Sequence, residues 1–251
     1  MTKETNDTRA RKFLDDQPTS PSVAFAFDTA RAEAYDRQFE SIRAITGALH
    51  LLMRMHFAGL PSDARILVVG AGTGAEVRFL APLFPGWRFT LVDPSEAMLS
   101  VARRHAEAEG FLDRCTFHAD LLPSLPPTPH HAATSLMVSH FLLHREERQA
   151  FFEAIAARLL PGGLLVTADI AADPTAPTFD AVMDLWIDLL VHADTLSPDG
   201  RATYRAAFGT NFAAHPPAEV EALIHRAGFA PPTPSYQAAL LRAWTTTRLP
   251  A

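Results

Sequence analysis

Hydrophobic and polar positions along the chain follow two spacings. Short apolar runs that end in glycine, aspartate or histidine are typical of buried parallel strands, whereas apolar residues three and four positions apart are typical of amphipathic helices. Because helical segments separate most of the short runs, the pattern favours a parallel sheet with right-handed crossovers. The predicted strands are ILVVG at 66–70, RFTLVD at 88–93, CTFHAD at 115–120, AATSLMVSH at 132–140 and LLVTADI at 164–170.

The segments between these runs carry helix signals. Helices are predicted at 74–84, at 95–110 and at 145–163. Ser95 is the expected cap of the second helix and Gly110 its stop, while Pro161-Gly162-Gly163 are expected to end the third. The prolines of LLPSLPPTPHH predict a loop over 121–131.

The outer parts of the chain predict the domain organisation. Residues 1–22 are polar and are expected to be a disordered leader, and 23–251 are expected to form a single domain. N-terminal helices are predicted over 28–60, capped by Asp28 or Thr29. After Ile170 the alternation of strands and helices stops, and the helical patterns at 171–216 predict an inserted lid. Residues 217–248 predict a last helix and one or two strands.

The amino-acid composition excludes several classes of enzyme as the function of this chain. The chain has 22 basic residues, of which only Lys3 and Lys12 are lysines. Phosphate-loop NTPases, protein kinases and Schiff-base enzymes need a lysine inside the fold. The Tyr-x-x-x-Lys pair of short-chain dehydrogenases cannot be built either. No lysine amine is therefore expected to take part in the chemistry.

Charge and cysteine content limit the partners, metal sites and cellular location that we expect for the protein. The net charge of −6 and the scattered arginines argue against a nucleic-acid partner. Cys115 is the single cysteine, and His130-His131 lack an acidic or cysteine partner at metal spacing, so no metal site is expected. The polar N-terminus and the lack of a long apolar run predict a cytoplasmic protein without a membrane segment. The stripe of Trp186, Leu189 and Leu190 predicts a core face or a homodimer contact.

A glycine-rich loop directly follows the first predicted strand. Its residues Gly70-Ala71-Gly72-Thr73-Gly74 would let the backbone turn tightly and approach a ligand, although a plain strand-to-helix turn is the alternative. Asp93 and Asp120 end the second and third predicted strands. Asp93 could accept hydrogen bonds from a ribose, and Asp120 from an adenine amino group, or each could cap a loop or helix.

The ordered motifs VVGAGTG, LVDPS, HAD and LLPGG over about 64–170 resemble the class I S-adenosylmethionine-dependent methyltransferases. The resemblance implies a doubly wound, Rossmann-like α/β sheet of seven strands whose last strand is antiparallel. It also implies S-adenosylmethionine as the cofactor. The implied cofactor-binding residues are Tyr35, Gly70, Ala71, Gly72, Thr73, Gly74, Asp93, Pro94, Ser95, Met98, Asp120, Leu121 and Ser139.

Within that class, EERQAFFEAIAARLLPGGLLVTADI and AEVEALIHRAGF resemble the carboxy-S-adenosylmethionine synthases. That group uses a lid arginine for the extra carboxylate of its cofactor, and Arg205 falls at the equivalent place. A surface arginine on a helix is the alternative. The group has Cys-Ser-Leu where this chain has Ala71-Gly72-Thr73.

The carboxyl end of the fourth predicted strand would face the transferred methyl group in this fold. His140 is the candidate general base there, and a histidine packed beside the cofactor is the alternative. His144, Arg37 and Arg205 are candidate substrate-binding residues, and any cation that steers an acidic acceptor must be an arginine.

The function predicted from these observations is methyl transfer from S-adenosylmethionine to a small or medium-sized acceptor. A carboxy-S-adenosylmethionine synthase-like enzyme that modifies the cofactor is one alternative. A nicotinamide-dependent oxidoreductase is another, because Gly70, Gly72 and Ala75 also satisfy the dinucleotide fingerprint. A cofactor-binding fold without catalysis is the third.

Overall fold

The structure is a computed structural model that describes residues 32–33, 35–37, 40–213 and 215–250. The leader predicted at 1–22 and the caps predicted at Asp28 or Thr29 lie outside the described residues. Within the described ranges, no helix is both long enough and apolar enough to cross a bilayer.

A single seven-stranded sheet organises the chain, with the strand order β3-β2-β1-β4-β5-β7-β6. The first five strands pair in parallel, and β7 runs antiparallel to both β5 and β6. This confirms the predicted α/β architecture and its antiparallel final strand. The strands are β1 (Arg65–Val69), β2 (Arg88–Val92), β3 (Cys115–His118), β4 (His130–Leu136), β5 (Leu159–Ile170), β6 (Thr233–Ala238) and β7 (Leu241–Thr247).

Helices cover both faces of the sheet. They are α1 (Arg43–Phe57), α2 (Ala75–Leu80), α3 (Glu96–Ala108), α4 (Arg145–Ala156), α5 (Phe179–His192), α6 (Arg201–Ala207) and α7 (Pro217–Arg226). Residues 32–33 and 35–37 are also helical.

Strand β1 shows why the apolar runs are continuous. Ile66 and Val68 pack into one core, shared with residues of α1, α2 and α3, while Leu67 and Val69 pack into a second core under α4 and α7. All four side chains are buried. Successive side chains of a strand point to opposite faces, so a sheet covered on both faces needs apolar residues at every position. Each contributes about 1.5–3 kcal/mol by burial.

The insertion at 171–216 forms a third core with the end of β5. Trp186 and Leu190 of α5 are buried against residues that include Ile170, so the predicted apolar stripe is a core face within this chain. The Trp186 indole donates a hydrogen bond to the Tyr204 hydroxyl on α6 at 2.8 Å. This contact links the two insertion helices.

The boundaries of α4 and β5 differ from the prediction. The helix ends at Ala156, and β5 already begins at Leu159, which pairs with His130. His130 is buried and hydrogen-bonds through Nδ1 to the Arg158 carbonyl at 3.1 Å. The register then shifts before the next pair, so Pro161-Gly162-Gly163 form an irregular part of the strand instead of a helix stop.

The carboxyl end of β4 also differs from the prediction. The strand ends at Leu136, and Met137 follows with a positive φ of 61°, which is rare for a residue that is not glycine. Ser139–Phe141 then form a short 3-10 turn. The turn takes Ser139 and His140 out of the strand and places them beyond the carboxyl end of β4.

Candidate active site

The glycine loop between β1 and α2 has a backbone that only glycine adopts without strain. Gly70, Gly72 and Gly74 have φ values of 69°, 52° and 81°. A Cβ added at Gly70 would lie 2.3 Å from Val138 Cγ2, so the loop also touches the segment after β4. The Gly70 and Ala71 amides donate to the Val92 carbonyl at 2.8 and 3.0 Å, which fixes the loop against the end of β2.

Asp93 joins this loop to the start of α3. Its carboxylate accepts hydrogen bonds from the Gly72 amide at 2.9 Å and from the Ser95 amide at 2.9 Å. Burial raises its pKa, and the two amide donors partly oppose that rise. Ser95 caps α3 by accepting from the Met98 amide at 3.3 Å, and Pro94 lies half-buried between them. Asp93 thus holds the loop, while Ser95 does the capping.

Glu76 is a buried carboxylate in the same region that the sequence prediction missed. It lies in the first turn of α2, and 6% of its surface is exposed. Burial raises its pKa, its own backbone amide partly opposes that rise, and the Asp93 carboxylate adds to it, so that the pKa is about 7. An acid in the first turn of a helix is ordinarily a favourable partner of the helix dipole, so no sequence pattern singled out Glu76.

The helical residues 32–33 and 35–37 pack over the glycine loop. Ala32 is buried with Met98 and Val101. The Thr73 hydroxyl donates to Asp36 Oδ1 at 2.5 Å, which ties this segment to the loop.

Tyr35 and Arg37, both predicted site residues on this segment, differ in their exposure to solvent. Burial raises the pKa of Tyr35, and the carboxylates of Glu76, Asp93 and Asp36 raise it further. Tyr35 therefore lies close to the loop and its acids. Arg37 is exposed.

Asp120 and Leu121 lie in the turn after β3, and both are exposed. Asp120 Oδ1 accepts from the Leu121 amide at 2.7 Å, and this bond, together with the Ser124 hydroxyl, lowers the Asp120 pKa. Leu121 leaves 62% of its surface exposed, so it presents an apolar side chain to solvent at the same sheet edge as Asp93. The two residues are available to a ligand at this edge.

His140 forms a buried dyad with Asp169 at the end of β5. Asp169 Oδ1 lies 3.0 Å from both the backbone amide and the Nδ1 of His140. Asp169 has no exposed surface, and burial opposes its ionisation, but the His140 hydrogen bond and the Arg148 charge together hold its pKa below the usual value. Because an ionised carboxylate only accepts, the proton of neutral His140 sits on Nδ1 and leaves Nε2 as the basic nitrogen.

A buried arginine extends this dyad. Arg148 Nε donates to the Ser139 hydroxyl at 2.9 Å, and that hydroxyl donates to Asp169 Oδ2 at 2.5 Å. Arg148 Nη1 lies 3.1 Å from His215 Nδ1. The sequence prediction missed Asp169, Arg148 and His215. Asp169 is the one charged residue of an otherwise mostly apolar strand, and this was the signal that could have identified it.

Aromatic side chains surround His140 on the side of the insertion. Its ring centroid lies 4.3 Å from that of Phe141 and 5.8 Å from that of Phe212. Tyr204 adds a third ring 5.6 Å from Phe212. The Ala213 amide donates to the His140 carbonyl at 2.7 Å, so the end of the insertion is anchored to the turn that carries the dyad.

The remaining predicted residues lie farther from this centre. His144 is exposed and directly precedes α4. Arg205 forms ion pairs with Asp180, at 2.9 Å, and with Asp184, both on α5. Within the described ranges, no group of three or more histidine, cysteine, aspartate or glutamate side chains is arranged to hold a metal ion. His131 Nδ1 instead accepts from the Arg65 amide at 3.0 Å.

Comparison with known proteins identifies the class of this fold. Residues 67–165 match the model of a family described as methyltransferase domain. Together with the 3-2-1-4-5-7-6 sheet and the glycine loop before α2, this match supports the predicted class, the S-adenosylmethionine-dependent methyltransferases.

Individual relatives refine the comparison. The chain is 29% identical over 178 residues to a ubiquinone biosynthesis O-methyltransferase of Methylocella silvestris, covering 61% of this chain and 67% of that enzyme. It spans 24% and 26% of the length of two other curated relatives.

Two solved structures share the fold. An O-methyltransferase family protein from Burkholderia thailandensis has 13% identity and a TM-score of 0.64, covering 98% of this chain and 69% of that one. The DhpI–SAH complex has 21% identity and a TM-score of 0.60, covering 89% and 94%. At these identities the likeness concerns the fold alone.

Proposed function

We propose that this protein transfers the methyl group of S-adenosylmethionine to a hydroxyl oxygen of a small, largely apolar acceptor, with His140 as the general base. The single observation that carries the proposal is the buried His140–Asp169 dyad, which lies beyond the sheet edge where the glycine loop turns. The O-methyltransferase relative from Methylocella silvestris supports the same reaction type.

The residues at the loop fit S-adenosylmethionine. Gly72 leaves space that a larger residue would fill, because an added Cβ would lie 3.5 Å from Met98 Cε. Glu76 and Asp93 are acidic groups without an ion-pair partner among the described residues, and they suit a ligand that carries an ammonium and a sulfonium. When bound, this cofactor supplies an electrophilic methyl group. Gly70–Gly74 would hold its methionine part and Asp93 its ribose.

The adenine would lie at Asp120 and Leu121, where a carboxylate can accept from an amino group and an apolar side chain can cover a ring. Tyr35 and Met98 would close the other side of the site. Ser139 stays within the Asp169 network, so we assign it to holding the turn instead of touching the cofactor.

His140 would accept the proton of the acceptor hydroxyl at Nε2. The carboxylate of Asp169 fixes the ring orientation through Nδ1 and stabilises the imidazolium that forms. The rings of Phe141 and Phe212 exclude water and favour an aromatic or other apolar acceptor. Arg37 and His144, both exposed, would meet polar groups at the entrance.

Replacing His140 with glutamine tests the role of the base. We expect kcat to fall by about 10²–10⁴-fold with a phenolic acceptor, because general-base catalysis contributes about that factor. The affinity for S-adenosylhomocysteine, measured by calorimetry, should change little since His140 is not placed in the cofactor site. A variant that keeps its kcat would contradict the proposal. His192→Gln, at an exposed histidine of α5 with no proposed role, is the matched control and should retain activity.

A carboxy-S-adenosylmethionine synthase-like activity is the alternative, and it depends on Arg205. Because Asp180 and Asp184 already pair with this guanidinium, a cofactor carboxylate would have to displace them. Mass spectrometry of the ligand that co-purifies decides the question. Under our proposal the ligand is S-adenosylmethionine or S-adenosylhomocysteine, and Arg205→Met leaves its affinity unchanged. An added mass of about 44 Da, one carboxylate, would establish the alternative.

A further inference from the structure

Arg148 occupies an unusual position for a charged side chain. It lies on the second turn of α4 and has no exposed surface. The sequence around it, REER, is typical of a solvated helix face, yet Arg148 points inward while Glu146 and Glu147 are exposed. A buried charge needs a compensating partner. Asp169 supplies it, with Oδ2 at 3.4 Å from Arg148 Nη2.

The two oxygens of Asp169 are divided between two partners. Oδ1 accepts from the amide and Nδ1 of His140, and Oδ2 accepts from Ser139 and faces Arg148. By occupying Oδ2, Arg148 and Ser139 fix the carboxylate so that Oδ1 faces the base. The arginine also supplies a second positive charge beside the carboxylate, which favours its ionised form.

His215 holds the other side of the guanidinium. An arginine only donates hydrogen bonds, so His215 Nδ1 at 3.1 Å from Nη1 must be unprotonated. Burial and the Arg148 charge lower the His215 pKa, Glu219 opposes this and Arg145 adds to it. His215 is therefore neutral near pH 7 and able to accept. It lies at the end of the insertion, two residues after Ala213, whose amide donates to the His140 carbonyl.

We infer that Arg148 and His215 are positioning residues for the base: through Ser139 and Asp169 they fix the orientation of the His140 ring. The inference rests on the proposed function, in which His140 is the base. Neither residue reaches the reacting atoms. Both lie outside the residues predicted from the sequence, and His215 also lies outside the matched family region of 67–165.

The pH dependence of kcat/KM separates this role from a merely structural one. In Arg148→Met, Asp169 is compensated by His140 alone, so protonated His140 is favoured. The acidic limb of the profile should move to higher pH by about one unit, because removing a nearby like charge has effects of about that size. The binding of S-adenosylhomocysteine should stay within about threefold of wild type.

Arg158→Met is the matched control. Arg158 is also a buried arginine following α4, but its guanidinium donates to the carbonyls of Leu125, Ala154 and Pro123. Its loss should lower the melting temperature without moving the acidic limb. If Arg148→Met lowers the melting temperature and leaves the limb where Arg158→Met leaves it, the inference is overturned.

Variants of His215 keep the test decisive if Arg148→Met does not fold. His215→Gln retains a neutral acceptor for Arg148, whereas His215→Leu removes it. We expect His215→Leu to lower kcat by about tenfold or more and His215→Gln to restore most of it, since an arginine whose acceptor is lost no longer holds Asp169 in one orientation. Equal activity of the two variants would overturn the inference.

The nitrogen spectrum of His140, measured by NMR on the resting protein, distinguishes failure of the inference from failure of the proposed function. The comparison is made at pH values where wild-type His140 is protonated at Nδ1 alone. If Arg148→Met changes the balance between Nδ1 and Nε2 protonation, the positioning role is supported. An unaltered balance overturns it. If the balance changes but His140→Gln still methylates the acceptor, the proposed function fails instead.

Discussion

The pKa values of two buried carboxylates in this protein shift in opposite directions. Glu76 has no cationic partner within the described ranges, and burial raises its pKa to about 7. Asp169 is more deeply buried, but His140, Arg148 and Ser139 hold its pKa below the ordinary value. The partners, and not the depth, decide which acid keeps its charge.

Glu76→Gln should stabilise the protein at alkaline pH when no cofactor is bound. The folded-state pKa lies above the unfolded value of 4.5, so ionisation opposes folding increasingly between pH 4.5 and about 7 and fully above that. The unfolding free energy of the variant should exceed that of wild type by up to about 3 kcal/mol at pH 8 and by much less at pH 5.

Urea unfolding at the two pH values measures this difference. Glu96→Gln provides the control, because Glu96 also lies in the first turn of a helix but is exposed. Its unfolding free energy should change by less than about 0.5 kcal/mol at either pH. A Glu76 variant that is equally insensitive to pH would refute the expectation.

How far the sequence predicts the site depends on the distance between its residues along the chain. Gly70–Gly74, Asp93 and Ser95 form recognisable local patterns, and the structure brings them together through direct hydrogen bonds. Asp169, Arg148 and His215 belong to three different elements, and no local pattern links them. Arg148 in particular sits among exposed charges, so only the packing of α4 against the sheet reveals its role.

At the scale of elements, the contact between the glycine loop and the turn after β4 joins the proposed cofactor site to the proposed base. Val138 lies against Gly70 and directly precedes Ser139 of the dyad network. The predicted strand alternation gave the correct order of elements. It extended β4 to His140 because apolar residues continue past Leu136, and the positive φ of Met137 that ends the strand leaves no mark in the sequence.

Gly70→Ala should be far more damaging than Gly110→Ala. Both glycines have positive φ, 69° and 77°, so each alanine meets a backbone strain of about 1 kcal/mol. At Gly110 nothing lies within 4 Å of the added Cβ, whereas at Gly70 Val138 Cγ2 lies at 2.3 Å. We expect Gly70→Ala to lose a further 1–3 kcal/mol, roughly, from overpacking.

Thermal unfolding combined with S-adenosylhomocysteine titration measures both effects of the Gly70 clash. Val138→Ala in the Gly70→Ala background should recover most of the additional loss, because it removes the clashing methyl groups. Equal destabilisation by Gly70→Ala and Gly110→Ala would show that the Val138 contact has no energetic consequence.

At the scale of the whole molecule, the matched family region and the candidate site only partly coincide. Residues 67–165 contain the glycine loop, Asp93 and His140, but Tyr35, Asp169 and the aromatic lining at Phe212 lie outside them. The matched region thus contains most of the residues that we propose bind the cofactor. Segments outside it contribute Asp169 and Phe212 of the proposed acceptor site, so the sequence predicted the class of reaction more closely than the acceptor.

Ligand-dependent melting tests the identity of the cofactor on the intact chain. At 100 times its dissociation constant, S-adenosylhomocysteine should add about 2.7 kcal/mol to the unfolding free energy, and the melting temperature should rise by about 5–10 °C. NADH at the same concentration should have no effect. A shift with NADH alone would instead support the oxidoreductase alternative. Asp93→Ala, which removes a group placed in the cofactor site, should abolish most of the shift.

The position of β7 has a consequence for how the protein is synthesised. This strand lies between β5 and β6. The edge of β5 that faces away from β4 therefore has no partner until residues 241–247, about seventy residues after Ile170, have left the ribosome. An unpaired strand edge is a template for misassociation while the nascent chain waits. Because Asp169 lies opposite Arg242 in the β5–β7 register, the strand that carries the dyad's carboxylate is among the last to be enclosed.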